Sequence, residues 1–160
     1  MLRPEERQLI VLMLNRISDP IYVTKMIEKL TSRYEEEREE LLKSLRVFDY
    51  SKDRIQIQLD PDVKMLAIIQ NLESLTEKYY QDIEPLYRKR EMYIRTAAFL
   101  DDLYYPVSDL MKGLYIKHSR EKDIRTLLGL NIQEFYETHD EGIEAVAQFL
   151  KDNGYDPEGD

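Results

Sequence analysis

The sequence predicts a mainly α-helical protein, with a winged-helix-like module of three helices plus a small β-hairpin at residues 1–60 packed on a helical bundle at 61–160. Three observations carry this. Apolar residues recur at three- and four-residue spacing over most of the chain. Helix-start signals punctuate it: Asp19-Pro20, Asp60-Pro61, and the capping-box patterns Ser32-Arg33-Tyr34-Glu35 and Asn131-Ile132-Gln133-Glu134. One stretch, Ile55 to Leu59, alternates apolar and polar residues as a half-buried strand does.

A first helix is expected from about Pro4 to Arg16, because proline suits the first turn and Glu5 and Glu6 sit at its positive end. Asp19-Pro20 opens a short second helix along Ile21, Val23, Met26, Ile27 and Leu30. Ser32 and Glu35 cap a third, Arg33 to about Leu45. The hairpin follows at Arg46 to Leu59, with Val47 and Phe48 before a polar turn at Asp49 to Asp53.

From Pro61 onward Met65, Leu72, Tyr79, Leu86, Tyr93, Leu100, Val107 and Leu114 repeat every seventh residue. Such a register marks one buried side, either of an intramolecular bundle, the favoured reading, or of a dimeric coiled coil. Pro85 and Pro106 lie inside it, and an interior proline removes a backbone hydrogen bond. Helices are therefore expected near 61–84, 86–105 and 106–117, or a longer kinked helix in place of two of them. A helix at about 120–128 stops at Gly129, Asn131 starts a short one to about Thr138, and a last amphipathic helix carries Ile143, Val146, Phe149 and Leu150 to Asn153-Gly154.

Composition narrows the function classes. The chain has no cysteine, which removes disulfides, thiolate metal sites and thiol nucleophiles and suits a reducing, cytoplasmic compartment. The N-terminal apolar run is too short and wrongly flanked for a signal peptide, and no stretch has the length of a membrane span. Net charge is −9, unevenly spread: residues 1–60 carry 11 basic against 12 acidic residues, and residues 61–160 carry 12 against 20. The acidic second part repels phosphate backbones, so DNA is not the favoured partner. The expected third helix presents Glu35, Glu36, Glu37, Glu39 and Glu40 where a groove reader wants Arg, Lys, Asn or Gln.

No catalytic or metal motif stands out and no cofactor is expected. His118 and His139 lie near helix boundaries without a Glu-x-x-His pair, and the five glycines are scattered. Tyrosine is abundant, 12 of 160, and seven of these fall between Tyr79 and Tyr115. Arg88, Lys89, Arg90 and Arg95 form the one compact basic cluster recognised in the sequence, interleaved with Tyr87 and Tyr93. Aromatic and arginine density of this kind belongs to interaction surfaces. The expectation is thus a non-enzymatic interaction or regulatory protein, a homodimer, binding a protein partner through Tyr80, Tyr87, Arg88, Lys89, Arg90 and Tyr105. The first alternative is a DNA-binding transcriptional regulator using the N-terminal module, with the C-terminal helices for dimerisation or sensing. An enzyme with a site assembled from residues remote in sequence comes third.

Overall fold

The computed structural model describes residues 2–50 and 61–157, the side chains of Pro20, Pro61 and residues 45–50 excepted. Its elements are α1 (Pro4–Leu14), α2 (Pro20–Tyr50), α3 (Pro61–Asp102), α4 (Val107–Tyr115), α5 (Glu121–Leu128) and α6 (Ile132–Asp152). Among the described residues there is no strand, and no helix is long and apolar enough to cross a membrane.

The chain forms two compact units, one of them discontinuous in sequence. One comprises Met1–Val23 with Arg88–Asp160, the other Thr24–Tyr87. The second is a pair of antiparallel helical segments from α2 and α3. Thr31 bonds Tyr79 and Tyr34 bonds Thr76, both hydroxyl to hydroxyl at 3.1 Å, so a step forward on α2 is a step back on α3. The Tyr34 and Tyr79 rings stack at 4.3 Å between these bonds, a contact worth about 1 kcal/mol beyond the area it buries. The seven-residue register lies on the packed side: Met65, Leu72, Tyr79 and Leu86 are half-buried while Leu66, Glu73, Tyr80 and Tyr87 are exposed. This is the seam that a 3,4 spacing creates when one helix face meets one partner.

Two expectations of the N-terminal half are corrected here. The cap at Ser32 and Glu35 starts no helix, because α2 runs unbroken through both, and both are exposed on its surface. Capping groups act only where the backbone has free ends. Ile27 is buried and Tyr34 and Leu41 are half-buried on one side of α2, and interrupting a helix along such a side is costlier than leaving the cap unused. Val47 and Phe48, expected to enter the hairpin, belong to the last turns of α2. The remainder of the expected hairpin, 51–59, lies outside the described residues. The winged-helix order of three short helices is accordingly replaced by one short and one long helix.

Pro85 likewise sits inside α3 without ending it. An interior proline costs about 3 kcal/mol, and the helix survives because Ile83, buried, and Leu86, half-buried, hold the turns around it while the ring faces outward. Tertiary packing outweighs the local penalty.

The larger unit is organised around α4. Nine residues long, α4 buries Val107, Ser108, Leu110, Met111, Gly113 and Tyr115, so nearly its whole circumference meets protein. It packs on α5 and α6, and α1 packs on α6. The Ser108 hydroxyl donates to the Leu100 carbonyl at 2.9 Å, tying α4 to the end of α3. Phe99 stacks on Phe149 at 4.4 Å, and the Arg95 guanidinium donates to the Tyr155 hydroxyl at 2.7 Å and Asn153 Oδ1 at 2.8 Å, fixing the end of α6. The break expected near Thr138 is absent: α6 runs through it, with Phe135, Gly142, Ile143, Val146 and Leu150 on one buried face.

Candidate functional site

The connection between α5 and α6 is the tightest between two helices of this unit. Gly129 ends α5 in the left-handed region, φ 67°, where a Cβ would be strained. Its N–H and that of Leu130 (2.9 Å) both donate to the Arg125 carbonyl, satisfying the free end of α5. Asn131 then takes an extended backbone and its Oδ1 accepts from Glu134 N at 2.8 Å, starting α6. Three residues thus end one helix, redirect the chain and cap the next. That is the length and chemistry of a helix-turn-helix connection, whose turn is three or four residues and often holds glycine.

Packing of α4 on α5 and α6 is close. A Cβ on Gly113 of α4 would stand 3.1 Å from two side-chain carbons of Ile124 in α5. One on Gly142 of α6 would stand 2.6 Å from Met111 Cγ in α4. Both glycines let backbone approach side chain where α4 meets its neighbours. Phe135 and Ile124 are buried, which leaves Ile132, Gln133, Glu134, Tyr136 and Glu137 on the open side of the first turns of α6. The Gln133 amide donates to Glu137 Oε1 at 3.1 Å along that face.

The segment entering α5 is basic. Lys117, Arg120 and Lys122 are exposed, and His118 between them adopts φ 52°, held by a 2.6 Å hydrogen bond between its Nε2 and Ser18 Oγ. Backbone bonds from Lys117 N to the Lys112 carbonyl (2.9 Å) and Ser119 N to the Gly113 carbonyl (2.8 Å) fold this loop back onto α4. Lys112 pairs with Asp101 at 3.1 Å. The signal was present in the sequence: Lys112, Lys117, Arg120, Lys122 and Arg125 stand against Glu121 and Asp123 within an otherwise acidic half. Only the fold shows that it borders the short connection between α5 and α6.

Behind α6 lies a polar cluster. Tyr115 Oη and His139 Nε2 share a 2.6 Å hydrogen bond, and the ring of His139 lies against those of Tyr115 and Phe135. Arg7 of α1 pairs with Asp140. Burial pushes the Tyr115 phenol up to about 12, with Arg7 opposing. Burial also holds the His139 imidazolium below its ordinary range, Arg7 adding to the effect and Asp140 and Glu121 opposing it.

The residues singled out from the sequence are placed as follows. In the helical-pair unit Tyr80 and Tyr87 are 63% and 49% exposed, one heptad apart on the outer side of α3. In the larger unit Arg88 is exposed, Lys89 and Arg90 are half-buried, and Tyr105, between α3 and α4, is 67% exposed. Its neighbour Tyr104 donates to Glu141 Oε2 at 2.6 Å, and that bond, first, with some burial, raises the phenol above its ordinary value. Among the described residues no three histidine or carboxylate side chains gather as a metal site requires. No family model, curated protein or solved structure matches the chain.

Proposed function

We propose that this protein is a non-enzymatic, DNA-binding regulator that docks on duplex DNA through α5, the Gly129 turn and α6. The observation that carries the reading is the three-residue connection, backed by α4 and bordered by Lys117, Arg120 and Lys122. In such units the second helix enters the major groove while groups around the first hold the backbone. On the open face of α6, Gln133 is of the type that pairs with adenine, whereas Glu134 and Glu137 stand where a groove reader wants Arg, Lys, Asn or Gln. The same carboxylates repel phosphate, so affinity rests on the cations at the entrance to α5. It is modest and strongly salt-dependent: three phosphate contacts give a slope of log K on log salt of about −2.7.

Fluorescence anisotropy with a random-sequence duplex, titrated with salt from low ionic strength, tests this. Binding that weakens along that slope, and is lost in K117Q/R120Q/K122Q, supports the reading. No retention of duplex at low ionic strength ends it.

The second reading is a protein-binding surface with self-association, favoured by the exposure of Tyr80 and Tyr87 on one face of α3. Tyrosine at such positions offers apolar area with a polar tip and two side-chain torsions to immobilise. Sedimentation of Y80A/Y87A beside the wild type distinguishes the cases, since an unchanged monomer–dimer distribution removes self-association through this face.

A further inference from the structure

We infer that the Tyr115–His139 pair is a proton-sensitive latch between α4 and α6, closed while His139 is neutral and loosened when it takes up a proton. The pair joins the central helix of the larger unit to α6 at 2.6 Å, with the imidazole flanked by the rings of Tyr115 and Phe135. A neutral imidazole accepts at Nε2 from the phenol, which keeps its proton because its own titration is displaced to about 12. A second proton turns Nε2 into a donor. The phenol oxygen must then accept, its hydrogen loses its partner, and a partly buried cation stands beside Arg7.

Burial sets the sign, and the charges facing the ring add to it or oppose it. Arg7 of α1 repels the cation, while Glu121 of α5 and Asp140 of α6 attract it; Tyr115 of α4 supplies the hydrogen bond. Asp140 is already paired with Arg7, so its attraction is partly committed. Burial and Arg7 prevail, and the folded protein resists protonation that the unfolded chain accepts near the ordinary histidine value of about 6.5. The latch contributes fully above that value and is lost as pH falls through the lower value of the folded state. Its consequence for duplex binding rests on the reading above; its effect on stability does not.

The test is urea unfolding of the full chain at pH 7.5 and pH 5.5, together with a proton NMR titration of the histidine rings assigned with H139Q. Glutamine can still accept from Tyr115 through Oε1 but has no proton to gain. The expected result is a fall in the wild-type urea midpoint on acidification that is clearly larger than the fall in H139Q, and a His139 titration below 6.5. Parallel falls in the two proteins, or a His139 ring titrating at or above 6.5, overturn the latch. Should H139Q fail to fold, the wild-type ring titration, assigned instead by loss of the His118 signals in H118Q, decides alone. Salt-titrated duplex binding measured at both pH values separates failure of the latch from failure of the DNA reading.

Discussion

Replacing Gly142 with alanine probes the close contact between α4 and α6. Gly142 is buried in α6 against Met111 of α4, whose side chain is fully buried. A Cβ at 142 would stand 2.6 Å from Met111 Cγ and 3.0 Å from Cε, so the methionine must move. Two effects oppose. Alanine in a helix interior is favoured over glycine by about 1 kcal/mol, whereas forcing a methyl into a filled core costs about 1–3 kcal/mol. Several atoms of one enclosed side chain are crowded at once, so the second effect is taken to win. G142A is expected to be less stable by about 1–2 kcal/mol, a loss of roughly 3–6 °C in Tm at this chain length.

Equilibrium urea unfolding of G142A, M111A and G142A/M111A measures it. M111A alone leaves a cavity and costs about 2–5 kcal/mol. Adding G142A to that background should cost little or recover stability, giving a coupling of at least about 1 kcal/mol between the sites. If G142A is instead more stable by about 1 kcal/mol, helix propensity alone governs the site. The close α4–α6 contact would then be refuted as a packing constraint.

Three further outcomes are expected. N131A removes the side-chain acceptor for Glu134 N and should cost about 1 kcal/mol in urea unfolding; no change would mean that the start of α6 does not rely on this cap. G129A places a Cβ in the left-handed region, where Gly129 has φ 67°, and should cost about 1–2 kcal/mol, although nothing crowds the position. Y34F/Y79F keeps the stacked rings but removes the hydroxyls that bond Thr76 and Thr31. Its loss, about 1–3 kcal/mol for the two bonds together, should appear in amide exchange of α2 and α3, and unchanged exchange would contradict their role.

Some of the candidate surface was legible beforehand. Asn131 and Gly129 announced the end of one helix and the start of another, because caps and left-handed stops depend only on a few adjacent residues. The basic residues from Lys112 to Arg125 were equally visible, but charge spacing along a chain does not say what structure the charges border. Neither Arg7 with Asp140 nor Tyr115 with His139 could have been paired from sequence, since α1, α4 and α6 meet through a core rather than through a connecting turn.

By itself the sequence determined that the chain is helical and that a seven-residue register from Met65 to Leu100 marks a packed side, because periodicity follows from the geometry of one helix. Tertiary structure decided where local signals yield. The Ser32 cap goes unused and Pro85 is carried within α3, because packing along a continuous helix outweighs either local preference. It also decided that a nine-residue helix, α4, is buried nearly all round and backs the α5–α6 turn, a role fixed by α5 and α6 packing on it.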